Sequence, residues 1–410
     1  MGGVSAMSRS VSVPSQKRVL QILETYLPLI GGAEFHLHYL TLHLLAQGWS
    51  VEIITGAVQN ADPQTDPCLT HRLPHAVGRK ALPYFFVWLY RFVRLFPRFD
   101  VIHVHHSSFL AFVAVIAGFL TRKRIVLTLH GLGALDSSVG RCPIRRLYRW
   151  VSMKGASHIV ATSDEMMAVA RRFAPPERIA LITNGVDTTH FTPTHERTFD
   201  HVHQTLRLAT LRRMNPKNGV HFVVDALGLV KDQLRFTLRM AGDGELRPTI
   251  EKTVAAFGLG DRMIFEGFVS HPHVVPLLEW CDVALFLSTA ESTSLAALEC
   301  MSMGCLVVCS NAGAFPQFVQ DGETGFIVPL FQEGKSDYHA PPHLEAWQNQ
   351  AVAATLLAIQ AKPPQELRRI SEQARAHVRA HFDWAVIAAQ TVDQTYNTDM
   401  PHPPTKDVVL

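Results

Sequence analysis

From residue 18 onward, short apolar runs rich in β-branched residues alternate with longer amphipathic stretches almost to the end of the chain. RVLQIL (18–23), SVEIIT (50–55), DVIHVH (100–105), RIVLTL (124–129), HIVAT (158–162) and RIALIT (178–183) predict the strands of a first half. LRLATL (206–211), RFTLRMA (235–241), RMIFE (262–266), VALFL (283–287), CLVVC (305–309) and GFIV (325–328) predict those of a second. Near-continuous apolar strands separated by helices imply parallel sheets covered on both faces. The rhythm lapses in the polar, turn-forming FTPTHERTFDHVHQT (191–205), which reads as a linker. The expected fold is α/β, with two doubly wound, Rossmann-like parallel-sheet domains facing a cleft. The expected boundaries are a disordered start (1–17), a first domain (18–192), a linker (193–204), a second domain (205–378), a helix crossing back to the first domain (379–396) and a loose tail (397–410).

Composition agrees with two cores. A chain of 410 residues exceeds what one core usually supports, and 47% hydrophobic against 18% charged residues supplies the apolar mass. A net charge of +3 is too mild to argue for nucleic acid. The six cysteines show no metal-binding spacing and sit mostly in apolar runs, which points to reduced core thiols in a cytoplasmic protein. Lys17-Arg18 before VLQILETYLPLI imitates a secretion signal, but Gln21, Glu24 and Thr25 interrupt the run, so a buried first strand is expected. No segment has the length of a membrane span; SSFLAFVAVIAGFL (107–120) suits a buried crossover helix. In GRKALPYFFVWLYRFVRLFPRFD (78–100), helical spacing gathers Phe85, Trp88, Leu89, Phe92 and Phe96 on one side, with Arg91, Arg94 and Arg98 at its edges. That face packs on a sheet, rests on an anionic membrane surface, or does both.

Doubly wound sheets bind ligands beyond the carboxyl ends of their strands, so the loops there hold the candidate chemistry. GGAE (31–34) follows a strand and opens a helix, where backbone amides attract an anion; by itself it also serves as a plain tight turn. The dinucleotide fingerprint GxGxxG is absent. RRMNPKNG (212–219) sets Arg212, Arg213 and Lys217 before a helix, as a second anion site or a solvated basic turn. If the two face each other, one pyrophosphate is held from both sides. ESTSLAALECMSMGC (291–305) places Glu291 in a loop and Glu299 two turns into the next helix, with Thr293 or Ser294 as cap and Gly304 as stop. A carboxylate among apolar neighbours costs several kcal/mol unless it is paired or accepts hydrogen bonds, and sugars and ribose offer hydroxyls in pairs.

Taken in order, GGAE, LTLHG (127–131), ATSDEMM (161–167), TNGVDTTHF (183–191), RRMNPKNG, AGDGEL (241–246), ESTSLAALECMSMGC and GETGFIVP (322–329) make the chain resemble the retaining glycosyltransferases of family 4, over about residues 18–395. The resemblance implies the GT-B architecture. It also implies metal-independent, retaining transfer of a hexose-type sugar from a UDP- or GDP-sugar to a glycan, lipid-linked or small-molecule acceptor. Glu299 would hold the ribose hydroxyls. Glu291 would hold those of the donor sugar, with the amides of Ser292, Thr293, Ser294 and Leu295 nearby. Arg213 and Lys217 would neutralise the leaving diphosphate, and Gly32 would approach it from the other domain. His130 would sit beside the transferred sugar. Gly31, Asn218 and Gly242 complete the expected donor-contacting set. The sequence departs from the family twice. Asn218 stands where Lys usually precedes Gly, so the loop shifts by one residue or Lys217 enters from another angle. Ser292-Thr293-Ser294 replaces Gly-Phe-Gly, which stiffens the loop and adds hydroxyls.

The chemistry is consistent with those residues. Breaking the anomeric bond leaves an oxocarbenium-like sugar and a diphosphate gaining charge, and each well-placed cationic donor is worth roughly 3 to 4 kcal/mol. The sequence has no DxD pair to hold a metal, and His103, His105 and His106 find no nearby carboxylate. Asn184 is expected to fix a turn through its side chain, with Gly185 at an unusual backbone angle. Two alternatives remain, a GT-B protein that binds nucleotide sugars without transfer and a sugar-nucleotide epimerase. The expected location is cytoplasmic, at the inner face of the membrane if the basic aromatic helix docks there.

Overall fold

The computed structural model describes residues 16–29, 31–56, 62–73, 81–131 and 143–397. The expected disorder of residues 1–15, the tail from 398, and residues 78–80 lie outside the described residues. Lys17 and Asn397 are described and joined, Lys17 Nζ donating to Asn397 Oδ1 at 2.7 Å. This corrects the boundaries drawn at 17 and 397.

Among the described residues, thirteen strands form two wholly parallel sheets. The first holds β1 (Arg18–Ile22), β2 (Ser50–Gly56), β3 (Leu69–Leu73), β4 (Val101–His105), β5 (Arg124–Leu129), β6 (His158–Ala161) and β7 (Ile179–Leu181), in the order β3-β2-β1-β4-β5-β6-β7. The second holds β8 (Leu206–Leu211), β9 (Phe236–Ala241), β10 (Met263–Gly267), β11 (Val283–Phe286), β12 (Leu306–Ser310) and β13 (Phe326–Val328), in the order β10-β9-β8-β11-β12-β13. In each sheet the order reverses once, which opens a crevice at the carboxyl ends. The run that imitates a secretion signal is β1, hydrogen-bonded to β2 and β4 and apolar because both its faces are covered. The pattern missed only β3: LTHRL is an edge strand with no fully buried residue, so it has no apolar run to reveal it.

In the first domain the helices are α1 (Gly32–Ala46), α2 (Ala81–Leu95), α3 (Phe109–Thr121), α4 (Pro143–Gly155) and α5 (Asp164–Ala170). The apolar 107–120 stretch is α3, capped by Ser108, whose hydroxyl accepts from Ala111 N at 3.3 Å. The expected inward face of α2 is seen: Trp88, Phe92 and Phe96 are buried, with Phe85 and Leu89 packed against the same core. Its outer face leaves Phe86, Val87 and Tyr90 exposed between Arg91, Arg94 and Arg98.

The second domain carries α6 (Val220–Leu229), α7 (Arg247–Phe257), α8 (His271–Trp280), α9 (Leu295–Ser302), α10 (Phe315–Phe318), α11 (Ala346–Ala361) and α12 (Pro364–His381). The connecting segment is pinned to it, not loose. The Arg197 guanidinium donates to the carbonyls of Leu278, Cys281 and Met303, capping the last turns of α8 and α9. Beneath it lies a cavity of about 240 Å³ at the amino edge of the sheet, opposite the catalytic end of a doubly wound domain. The described cysteines Cys281, Cys300, Cys305 and Cys309 are free and buried, and Cys68 is free and partly buried.

The chain returns to the first domain at Phe382–Asp383, later than residue 379, which is still inside α12. Val186 N donates to Phe382 O and Trp384 N to Val186 O. α13 (Trp384–Thr391) and a π-helical turn (Val392–Tyr396) then lie on the first domain, with Trp384 stacked on Tyr39 at 5.6 Å. Gly185 does not adopt the unusual angle expected of it, since it is absent from the glycines with positive φ. A Cβ there would stand 2.9 Å from Trp384 and 3.1 Å from Phe382 O, so the returning segment is what requires glycine.

Candidate active site

A cavity of about 410 Å³ lies between the domains, lined from one side by Gly32, Ala33, Glu34, His106, His130 and Asn184 and from the other by Arg212, Lys217, Glu291, Ser292, Thr293, Leu295 and Ala296. Each lining residue sits just beyond the carboxyl end of a strand or at the start of the helix after it. The Ser292–Thr293 loop reaches across the gap. Thr293 Oγ1 lies 2.8 Å from Thr183 Oγ1 and 3.3 Å from Thr162 O, and a Cβ on Gly131 would stand 3.0 Å from Ser292 Oγ. The Thr293 hydroxyl therefore joins the two domains.

Of the residues expected here, Gly32, His130, Lys217, Glu291, Ser292, Thr293 and Leu295 meet in the lining. Gly32 is the first residue of α1, and a Cβ there would meet nothing within 4 Å. The basic loop brings one correction. Arg213 is exposed, and its place in the lining is taken by Arg212. Arg212 leaves β8 at its carboxyl end, with its amide bonded to Ala241 O at 2.9 Å, and the chain then turns so that the next side chain faces solvent. The Arg212 guanidinium donates to Ser288 Oγ (2.8 Å), Asn218 Oδ1 (3.1 Å), Ser294 Oγ (3.3 Å) and the Glu291 carboxylate. Lys217 lines the same cavity, so both cations stand one position earlier than residues 213 and 218.

Several expected donor contacts are not among the residues lining the cavity. Asn218 is buried, accepting from Arg212 and donating from Nδ2 to Arg213 O at 2.7 Å, so it steers the arginine. Ser294 is the α9 cap, its hydroxyl accepting from Ala297 N. Gly242, at φ +136°, allows the loop after β9 to close on the backbone of Arg212, where any Cβ would collide with its carbonyl. Gly31 is the α1 cap and lies beside the Glu34 side chain. Glu299 is half-buried on α9, four residues after Leu295 and so on the same helix face; across the gap, burial raises the Tyr39 hydroxyl, with Asp187 and then Glu299 adding to it.

The electrostatics are those of an anion site. Burial lowers the Lys217 amine, opposed by Glu291 and reinforced by Arg212 and Arg213. Arg212 and Glu291 keep side-chain exposures of 12% each, so the pair sits nearly out of water, where losing either partner strands a charge. The Glu291 backbone is pinned as well. Its carbonyl accepts from Ala314 N at 2.9 Å, and Gly313, at φ +55°, lets that loop approach. His106 holds φ +72°, a left-handed conformation that is costly for a side chain with a Cβ and typical of functional sites.

Sequence reasoning missed His36, which is 1% exposed on α1 and bonds Asn184 Oδ1 through Nδ1 at 2.7 Å. Asn184 thus orients a histidine as well as shaping its turn. One nitrogen from each of His36, His105 and His130 lies within 4.8 Å of the others, the one such group among the described residues. His105 Nδ1 and His130 Nε2 lie 3.0 Å apart, and His36 packs edge-on against the His130 ring at 4.6 Å between centroids.

Comparison with known proteins agrees with this geometry. The family model described as Glycosyltransferase Family 4 matches residues 30–190, and that described as Glycosyl transferases group 1 matches 205–335. The MMP alpha-(1->4)-mannosyltransferase of Mycolicibacterium hassiacum is 27% identical over 61% of this chain and 57% of its own length, so the chain matches little more than half of that enzyme. A phosphatidylinositol N-acetylglucosaminyltransferase chain from Arabidopsis thaliana is 26% identical over 75% of this chain and 70% of its own. The crystal structure of Anabaena HepE in complex with UDP and glucose superposes with a TM-score of 0.71 at 19% identity, covering 92% of this chain and 99% of that one. With both family models matched in order and two parallel-sheet domains closing on one cleft, this chain belongs to the family 4, group 1 glycosyltransferases of the GT-B fold.

Proposed function

We propose that this glycosyltransferase moves a hexose-type sugar from a UDP- or GDP-sugar to a hydroxyl acceptor with retention of anomeric configuration and without a metal ion. One observation carries the reading: the amino end of α1 from one domain and Arg212, Lys217 and Glu291 from the other line a single cavity. A helix amino terminus and two cations fit a diphosphate, and the Glu291 carboxylate and loop amides fit sugar hydroxyls. Arg212 and Lys217 supply the countercharge that the leaving diphosphate needs. The ordered motifs shared with the retaining glycosyltransferases support retention. Glu34 and Glu291 are the carboxylates lining the cavity among the described residues; Glu34 accepts from Thr25 at 2.5 Å and Glu291 is bound by Arg212.

The solved relative with UDP and glucose, and the mannosyl- and N-acetylglucosaminyl-transferring relatives, favour a nucleotide-sugar donor. The acceptor is a glycan end, a lipid-linked sugar or a small molecule. An exposed aromatic and basic face on α2 favours an acceptor presented at an anionic membrane surface. Incubation with UDP-glucose, UDP-N-acetylglucosamine and GDP-mannose tests the donor assignment. Slow release of UDP or GDP with an α-configured free sugar is expected. Binding without release would instead identify a nucleotide-sugar-binding protein, and C2 or C4 inversion within the intact nucleotide sugar an epimerase.

A further inference from the structure

A line of buried polar side chains crosses the first domain and ends at the cleft. Thr41 on α1, Gln21 in β1 and His105 at the end of β4 are 0%, 0% and 1% exposed, and none of them lines the cavity. Gln21 Nε2 donates to Thr41 Oγ1 at 3.2 Å, Gln21 Oε1 lies 2.8 Å from His105 Nε2, and His105 Nδ1 lies 3.0 Å from His130 Nε2. An all-apolar set would fill the same space without the cost of desolvating these groups. The bonds do order the hydrogens, however. With its nitrogen toward Thr41, Gln21 offers its oxygen to His105, so His105 donates from Nε2 and presents a bare Nδ1. His130 then donates to it from Nε2. The remaining nitrogen of His130, Nδ1, is buried with no hydrogen-bond partner among the described residues. On its other sides His130 meets His36 edge-on at 4.6 Å and His106 at 5.2 Å between ring centroids, and His36 is itself fixed by Asn184.

We infer that His105, held by Gln21, is a positioning residue that fixes both the ring orientation and the tautomer of His130. The inference rests on the proposed transfer reaction, in which His130 stands beside the sugar being moved. His105 touches neither substrate nor cavity. It acts by keeping the His130 hydrogen on Nε2, so that the Nδ1 lone pair remains as the hydrogen-bonding atom His130 has to offer a ligand. A histidine that selects its neighbour's tautomer gives a fixed geometry at the reacting carbon, and a small misplacement there is enough to slow a reaction roughly 10²-fold.

The test compares His105→Leu, which removes the acceptor, with His105→Asn, whose side-chain oxygen falls where Nδ1 stands. Donor kinetics with UDP-glucose and GDP-mannose and ¹⁵N–¹H spectra of the imidazole rings are recorded for each, with circular dichroism as the check on folding. For His105→Leu a fall in kcat of roughly 10²-fold with little change in donor KM is expected. Its His130 ring signals should move from a single Nε2–H form to a mixture. His105→Asn should recover most of the turnover and the Nε2–H signal. Full turnover in folded His105→Leu, or an unaltered His130 spectrum in it, overturns the inference. Should the variants fail to fold, the wild-type spectrum decides, since hydrogen on Nδ1 of either His105 or His130 contradicts the proposed order. If the wild-type protein turns over no nucleotide sugar, the transfer reading fails while the ring spectra still judge the positioning claim.

Discussion

Arg212 and Arg213 show how much one position matters at the end of a strand. Both are arginines in a loop and nothing in their local sequence separates them, yet one is held by four partners in the cleft and the other is exposed. Arg212→Ala should lower kcat at least about 10²-fold, because the diphosphate charge it meets develops mainly in the transition state. Arg213→Ala should leave steady-state kinetics nearly unchanged, and equal losses in the two variants would contradict the assignment. The buried histidines make a different prediction. Burial pushes His36 from 6.5 down to about 4, against the raising effect of the Asn184 hydrogen bond. Between those values the unfolded chain binds a proton that the folded chain refuses. The stability from keeping His36 neutral is therefore complete above pH 6.5 and is lost as the pH falls toward 4, by roughly 3 kcal/mol. Thermal melts from pH 7.5 to 4.5 should show the decline, and a shallower one in His36→Asn, which keeps a donor for Asn184 but does not titrate.

The helices and strands were legible wherever burial imposed a period. Twelve of the thirteen described strands in the two sheets carry an apolar run, and the central ones, covered on both faces, have no polar side to interrupt it. β3 escaped because one of its edges has no partner and none of its side chains is fully buried. The glycines of the turns were visible as residues, but what they approach was not. Gly242 was expected to touch a ligand, and its close approach to the backbone of Arg212 was not visible in the sequence. Gly242→Ala should cost about 1–3 kcal/mol, since φ +136° suits no residue with a Cβ and the Arg212 carbonyl blocks the space. Chemical denaturation would measure the loss. Turnover should fall with it, because the displaced loop packs on the backbone of Arg212.

Domain closure depends on contacts between distant parts of the chain. The Thr183–Thr293 hydroxyl pair, the return of the chain at Asp383, and Trp384 stacked on Tyr39 hold the two halves about the cavity. On the outside, no described helix is long and apolar enough to cross a membrane. α2 nevertheless presents exposed Phe86, Val87 and Tyr90 beside Arg91 and Arg94, with the Arg94 guanidinium 5.0 Å from the Tyr90 ring. The protein should co-float with anionic liposomes at low salt and much less at high salt, where the arginines are screened. Phe86→Ser with Tyr90→Ser should weaken flotation while leaving the melting temperature close to wild type, because neither ring is buried. Failure to float at low salt would exclude this docking face.

Local physical chemistry written along the chain was enough to establish the strand rhythm, the division into two parallel-sheet halves, the loops that carry chemistry, and the family to which their ordered motifs belong. Each of these depends on neighbours within a few positions: an apolar run, a glycine before a helix, a cap, a carboxylate among small residues. Which arginine enters the cleft, why Gly185 and Gly242 must lack a side chain, and how His36, His105 and His130 come together depend on residues brought close only by folding. Gln21 and His105 are 84 positions apart, and His36 and Asn184 are 148 apart, yet each pair shares a hydrogen bond. Hydrogen bonding and steric exclusion act over a few ångströms of space, and sequence separation carries no record of such distances until the sheets are assembled.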